Sequence, residues 1–263
     1  MGQVRYAFLG ATRYSAELLE FLIGQGLPPA LVFFIPEEFQ ISYSDKPVKN
    51  SNYADIRAMA EQNSIPAYEV NSIPGKKLGD YASIISDAQL DLLLVLGWYY
   101  MIPEKVRELT SHGAWGIHAS LLPRYAGGAP LNWAIINGEE ETGITLFRMK
   151  SGVDDGDIIR QVSFPIGPND YISDVYEKAT AASKEVLRAA LTNIGDLTFR
   201  PQNPEEIQVY PQRKPEDGEI DMTKNSKEIF DFIRAQAPPY PGAFFRTADG
   251  KKIVIERARV ESQ

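Results

Sequence analysis

Residues 92–96, which read LLLVL, limit the fold of this chain more than any other part of it. An apolar run with no polar face is typical of a parallel strand that helices cover on both sides. Upstream, an apolar strand at 4–9, a helix at 16–23 and a strand at 31–35 follow in the order of a right-handed parallel crossover. The sequence therefore predicts an α/β fold with a Rossmann-like, mostly parallel sheet flanked by helices.

Composition excludes several classes of protein and site. The chain has no cysteine, so it has no disulfide, no thiolate nucleophile and no cysteine metal site. It has two histidines, too few for a histidine-rich metal centre, and we expect no metal. The net charge of −8 argues against a nucleic acid as partner, since polyanions are bound by basic surfaces. No signal peptide and no membrane-spanning run is visible, so we expect a cytoplasmic protein.

A change of character near residue 199 predicts two domains. Before it lies a strongly amphipathic helix at 174–191, which we expect to pack onto the sheet. After it come polar, proline-containing segments, a helix at 226–235, a PPYPG turn and a hairpin formed by 244–247 and 253–260. We therefore predict a catalytic domain at 1–199 and a small α+β C-terminal appendage at 200–263.

The central stretch, residues 113–159, holds the candidate catalytic pair. A short apolar strand at 114–117 ends at His118, and a strand at 143–149 is followed by an acidic turn that begins at Asp154. Between them lies a glycine-rich loop at 124–130, which we expect to let backbone approach a ligand. A carboxylate beside a histidine fixes its tautomer and favours its protonated form. A packed histidine and a solvated acidic turn remain the structural alternative, and His112 is expected at the surface.

Four motifs in this stretch occur together and in order: HASLLP from His118, GGAP from Gly127, TGIT from Thr142 and DDGD from Asp154. They resemble the formyltransferase family that uses 10-formyltetrahydrofolate. The resemblance extends more weakly over residues 4–260. It implies that this folate is the co-substrate and that its site is bordered by Tyr100, Met101, Ile102, Gly128, Lys150, Ser151, Gly152, Val153 and Asp154.

The resemblance also implies a reaction. The primary amine of an acceptor attacks the formyl carbon, His118 removes or relays the amine proton, and Asp154 orients His118. Ser120 either helps to place a substrate or holds its own loop. Arg213 and Lys214, in an R-x-P-x-D pattern near the C-terminus, are candidates for contact with an acceptor's phosphates, although paired basic residues in a polar loop are often merely solvated.

Gly116 departs from the family pattern, which has asparagine two residues before the histidine. In the family that asparagine is taken to hydrogen-bond the formyl oxygen, and losing one such donor typically costs about a hundredfold to a thousandfold in rate. Three readings stay open: another donor replaces the amide, the enzyme is slow, or the chain is not a formyltransferase.

The motifs are most similar to the branch that formylates nucleotide-linked amino sugars such as UDP-4-amino-4-deoxy-arabinose. About twenty residues follow Gly242, too few for the C-terminal barrel of the transfer-RNA branch. We therefore expect a small-molecule acceptor. The alternatives are an enzyme like methionyl-tRNA formyltransferase, or a catalytically impaired homologue that binds folate or a nucleotide sugar. Relatives in the sugar branch are commonly dimers.

Overall fold

The fold is built around one seven-stranded sheet in a computed structural model that describes residues 4–40, 46–71 and 75–261. The strands, in chain order, are β1 (Tyr6–Gly10), β2 (Leu31–Phe34), β3 (Glu38–Phe39), β4 (Val48–Lys49), β5 (Ala67–Glu69), β6 (Leu92–Val95), β7 (Ala114–His118), β8 (Ala126–Gly127), β9 (Glu141–Arg148), β10 (Ile158–Pro165), β11 (Val209–Tyr210), β12 (Ala243–Arg246) and β13 (Lys252–Ile255). The helices are α1 (Arg13–Gly24), α2 (Ile56–Gln62), α3 (Ala82–Asp87), α4 (Glu104–Arg107), α5 (Pro130–Ile136), α6 (Ile172–Thr192) and α7 (Ser226–Gln236).

The order of the strands across the large sheet is β10-β9-β7-β6-β1-β2-β5. The neighbours from β7 to β5 are parallel, whereas β9 runs antiparallel to both β7 and β10. This arrangement confirms the predicted α/β class with a mostly parallel sheet. The apolar run at 92–96 lies in the interior of the sheet as β6, between β1 and β7.

Both faces of the sheet are buried, as the unbroken apolar pattern of β6 requires. Leu92 and Leu94 join the larger core, which α1, α2, α5 and α6 cover. Leu93 and Val95 point to the opposite face and pack with residues of α3 and α4. Successive side chains of a strand alternate between faces, so a strand covered on both sides has no place for a polar residue.

Several element boundaries differ from the sequence expectation. α1 begins three residues early, because Thr12 caps it and exchanges a capping-box pair of bonds with Ser15. The sequence also predicts a helix at 76–86, and the structure has there a 3₁₀ turn, Leu78–Tyr81, followed by α3. The polar segment 36–52 predicts a long loop, but it contains the paired β3 and β4, and its residues 41–45 lie outside the described part. The C-terminal hairpin is shorter than predicted.

The C-terminal part of the chain is joined to the sheet domain through α7, which packs against α5. On α7 a buried ion pair links Arg234 to Asp231, with 2.9 Å between Nε and Oδ1. The same guanidinium donates hydrogen bonds to the carbonyls of Gly167 and Asp170, in the turn before α6. Nearer the centre, β11 pairs in parallel with β8 in the glycine-rich loop. This second junction brings residues after 199 to the loop that carries the predicted site.

Candidate active site

His118 is the last residue of β7, so a rigid strand fixes its backbone. The pairing of β7 with β9 sets His118 opposite Thr145 and Gly116 opposite Phe147. Residues two apart in a strand share a face, so Gly116 and His118 lie on the same side of the sheet. The ring of His118 is buried, with a relative exposure of 8%. An imidazole that is largely shielded from water interacts strongly with each polar or charged group that contacts it.

Asp154 reaches His118 from the turn that follows β9. Its Oδ2 lies 3.3 Å from Nδ1 of His118 and accepts a hydrogen bond of 2.8 Å from the backbone N–H of Gly127. The residue has a φ of 51°, in the left-handed region that aspartate tolerates better than most side chains. Gln202 Nε2 donates to the carbonyls of Asp154 and Gly156, which braces this turn. The two predicted residues are therefore in contact.

The second ring nitrogen of His118 is also occupied. Nε2 lies 2.6 Å from the carbonyl oxygen of Tyr125. A carbonyl oxygen only accepts, so Nε2 carries a proton in this arrangement. Asp154 at Nδ1 and the Tyr125 carbonyl at Nε2 therefore fix the ring from two sides.

The loop after His118 is held by internal hydrogen bonds in which Ser120 takes part. Ser120 is fully buried and its hydroxyl donates to the carbonyl of Arg124. Thr145 Oγ1 donates to the carbonyl of Ser120 and accepts from the backbone N–H of Leu122. As placed here, Ser120 affects the site through the shape of this loop, and a direct contact with substrate stays a prediction.

The glycine-rich loop differs from the sequence interpretation, which expected a ligand close to its backbone. A Cβ on Gly127 would lie 2.5 Å from the carbonyl oxygen of Tyr210, and one on Gly128 would lie 2.4 Å from Cα of Gln212. Such distances are shorter than side-chain contacts allow. These two positions therefore require glycine because the strand at 209–212 packs on them. Contact of Gly128 with folate remains a prediction.

The ring of Tyr125 is fixed by the same junction. It stacks on Tyr210, with 4.8 Å between the ring centroids, and its hydroxyl donates to Oε1 of Glu139. Burial raises the pKa of the Tyr125 hydroxyl to about 12, with Asn137 lowering it and Glu139 raising it further. Tyr125 is thus protonated at neutral pH, and its hydroxyl is directed away from His118.

Two of the predicted folate residues, Lys150 and Ser151, line an open cleft of about 510 Å³. One wall contains Lys150 and Ser151, together with Met149. The other wall is α4, which follows the segment of Tyr100, Met101 and Ile102 and is tied to it by a bond from Arg107 to the Ile102 carbonyl. Ile102 is buried, Tyr100 is half-buried and Met101 is exposed. Gly152 and Val153 are exposed in the turn, and Lys150 pairs with Asp157 at 2.7 Å.

Arg213 and Lys214 have different environments. The guanidinium carbon of Arg213 lies 4.8 Å from the ring centroid of Trp133 and 5.4 Å from that of Phe232, between α5 and α7. Burial lowers the pKa of this guanidinium from its ordinary value. Arg213 therefore packs between helices in this conformation, whereas Lys214 is exposed. Their predicted phosphate contacts remain untested.

Three contributors to the site were not predicted. They are the Tyr125 carbonyl, the Gln202 amide and the ring of Phe147, which packs beneath the pair. A backbone carbonyl leaves no trace in residue type, and Gln202 lies 48 residues from Asp154 along the chain. Phe147 lies in a strand whose apolar and polar residues alternate, so the sequence predicts only an ordinary core residue there.

His112 is half-buried rather than fully at the surface, and it stacks on Phe199. Across the described ranges, no group of three or more histidine, aspartate and glutamate side chains could hold a metal ion. Likewise, none of the helices placed by the structure is long and apolar enough to cross a membrane.

Comparison with known proteins places these features in a family. Residues 46–191 match the formyl transferase family, and residues 213–263 match the C-terminal domain of formyl transferases. A methionyl-tRNA formyltransferase of Geobacter metallireducens is 32% identical over 210 residues, which are 79% of this chain and 66% of that protein. The alignment thus spans slightly less than two thirds of that relative.

Two solved structures have the same fold. A 4-N formyltransferase from Francisella tularensis matches with a TM-score of 0.71 and 20% identity, over 98% of this chain and 99% of that one. An N-formyltransferase from Helicobacter canadensis, in complex with folinic acid and dTDP-3-aminofucose, matches with a TM-score of 0.65 and 22% identity, over 88% of this chain and 80% of that one. Since the family match at 46–191 alone covers more than half of the sequence, this chain belongs to the formyl transferase family.

Proposed function

We propose that this chain transfers the formyl group of 10-formyltetrahydrofolate to the primary amine of a nucleotide-linked amino sugar. The observation that most directly supports a transfer reaction is the contact between His118 and Asp154 at the end of β7. The sugar acceptor is supported by the two solved relatives, both N-formyltransferases, one of which holds folinic acid and an amino sugar linked to dTDP.

In this proposal the acceptor amine attacks the formyl carbon, and Nε2 of His118 gives its proton to the leaving folate nitrogen and takes up the proton that the amine loses. Nε2 exchanges its hydrogen bond with the Tyr125 carbonyl for these transfers, while Asp154 stays at Nδ1. Asp154 and the Tyr125 carbonyl hold the ring in one orientation. A positioned acid or base of this kind typically contributes about 10²–10⁴-fold to a rate. When bound, 10-formyltetrahydrofolate supplies the formyl group as an N-acyl donor.

The cleft between α4 and residues 148–151 has a polar lining that suits the ring system of a folate, although neither His118 nor Asp154 lines it. Its volume of about 510 Å³ lies within the range of small-molecule sites. Arg107 and Arg148 supply donors in its lining, and Glu104 and Glu108 supply acceptors. A mixed set of donors and acceptors suits a ring that has both.

A transfer-RNA acceptor is the second candidate, because the 32% identical relative is a methionyl-tRNA formyltransferase. The charge of this chain favours the sugar. A protein that neutralises many phosphates needs a strongly basic surface, whereas this sequence has 27 basic and 35 acidic residues.

The deciding experiment measures release of tetrahydrofolate from 10-formyltetrahydrofolate in the presence of dTDP- and UDP-linked amino sugars. The His118→Ala variant serves as control, and mass spectrometry identifies the formylated product. Release that depends on one sugar, with a product heavier by one formyl group, supports the proposal. Release that depends only on initiator transfer RNA favours the second candidate. Folate binding without release with either acceptor refutes both and leaves a binding protein.

A further inference from the structure

The ring of Phe147 lies between the two segments that carry the candidate catalytic pair. A Cβ built on Gly116 would be 3.3 Å from Cε1 of this ring, and one built on Gly156 would be 3.2 Å from Cδ2. Gly116 stands two residues before His118, and Gly156 stands two residues after Asp154. The aromatic ring therefore touches the strand of the histidine on one side and the turn of the aspartate on the other.

The ring is enclosed, so it occupies one position. Phe147 has a relative exposure of 4% and clusters with Leu122, Ala126 and Ile158. The side chain of Met149 closes the same space, since its Cγ would be 3.5 Å from a Cβ at position 116. In a close-packed interior of this kind a change of one methylene group is transmitted to the neighbours.

We infer that Phe147 is a positioning residue that sets the separation between His118 and Asp154, and that a side chain at position 116 would press on its ring. This inference deepens the proposed function and rests on it for its kinetic readout. A Cβ at 116 would lie 3.3 Å from Cε1 of Phe147, so a side chain there requires the ring to move slightly from its present place.

Substitution of the ring by a smaller apolar side chain tests the inference. Phe147→Leu keeps an apolar residue at a buried site but removes the aromatic edges that meet Gly116 and Gly156. The matched control is Phe164→Leu on β10, where Phe164 is also buried, pairs with Thr142 and belongs to the opposite core. Both variants replace a buried phenylalanine of β9 or β10 by leucine, but only Phe147 lies next to Gly116 and Gly156.

The first readout is the imidazole NMR spectrum, which contains signals from only two histidines. In Phe147→Leu we expect the Nδ1 nitrogen signal of His118 to change position, because the contact of Nδ1 with Asp154 lengthens. The His112 signals serve as internal reference and stay unchanged. In Phe164→Leu neither histidine moves. Because this readout requires no substrate, it tests the positioning role even if the proposed reaction fails.

The second readout is formyl transfer. We expect kcat of Phe147→Leu to fall about tenfold with little change in KM, since small misplacements of catalytic groups are costly. Gly116→Asn is expected to lower kcat as well, and the double variant Gly116→Asn with Phe147→Leu to recover part of that loss. A His118 Nδ1 signal and a kcat that coincide with those of the wild type in Phe147→Leu overturn the inference. Greater activity in Gly116→Asn alone also overturns it.

Discussion

Replacement of Asp154 by asparagine tests the central contact of the site with little change in shape. The amide oxygen of asparagine can still accept the hydrogen bond from Gly127 N–H that holds the turn. What is lost is the negative charge 3.3 Å from Nδ1 of His118. The change therefore isolates the electrostatic role of the carboxylate from its structural one.

The size of the effect follows from the geometry. Two unit charges at 3.3 Å in an effective dielectric constant of about 20 attract by about 5 kcal/mol, which is an upper limit. Hydrogen bonds to charged groups are worth about 1.5–3 kcal/mol net. The distance is longer than that of a well-formed charged bond, and the Asp154 side chain is 21% exposed, so the low end applies. A loss of about 1.5–2 kcal/mol corresponds to roughly a ten- to thirtyfold fall in kcat.

The assay is tetrahydrofolate release at saturating folate and acceptor, across the pH range in which His118 titrates. The matched control is Asp155→Asn, which removes the same charge from the same turn without touching the histidine. We expect Asp155→Asn to keep most of the activity. Equal losses in the two variants would mean that the charge of the turn, rather than the contact with His118, supports the reaction, and would refute this reasoning.

Further predictions concern the histidine, the junction with the C-terminal part and the alkaline range. His118→Ala is expected to lower transfer by about two orders of magnitude or more, as expected for a lost acid or base, with the melting temperature of the protein retained. His112→Ala is expected to leave the rate of formyl transfer near that of the wild type. Arg234→Met removes the buried partner of Asp231, leaves the exposed Lys227 as its ion-pair partner, and is expected to lower the free energy of unfolding by about 3 kcal/mol in urea. Lys227→Ala removes the exposed ion-pair partner of Asp231. A fall of more than about 1 kcal/mol in the free energy of unfolding would contradict the view that Arg234 is the main partner of Asp231. The pKa of Tyr125 is raised to about 12, so unfolded chains lose this proton first as pH rises. Its stabilising effect is complete below about pH 10 and declines towards pH 12, and Tyr125→Phe is expected to reduce that decline in urea unfolding.

Much of the fold could be predicted because it depends on local patterns. An apolar run such as LLLVL has few stable environments, and the interior of a parallel sheet is the commonest of them. The amphipathic stripe at 174–191 likewise predicted α6, which is Ile172–Thr192. The boundaries were less predictable, since caps and hydrogen bonds between segments decide them. The pairing of β3 with β4 inside an apparent loop is one example.

The sequence by itself also determined the candidate pair. His118 and Asp154 stand in motifs whose order and spacing identify the family. Because β7 and β9 are antiparallel and end at opposite edges of the sheet, the contact between the two side chains depends on the turn that follows β9.

Only the tertiary structure decided what surrounds that pair. The segment 209–212 against Gly127 and Gly128 and the Phe147 ring against Gly116 join parts of the chain that are distant in sequence. The Tyr125 carbonyl meets Nε2 of His118 through the folding of the loop between them. In the sequence the glycines read as space for a ligand, whereas in the fold other parts of the chain fill that space. The physical reason is that close packing is a property of surfaces brought together by folding. A sequence records that a side chain is absent, and the fold shows which neighbour fills the space.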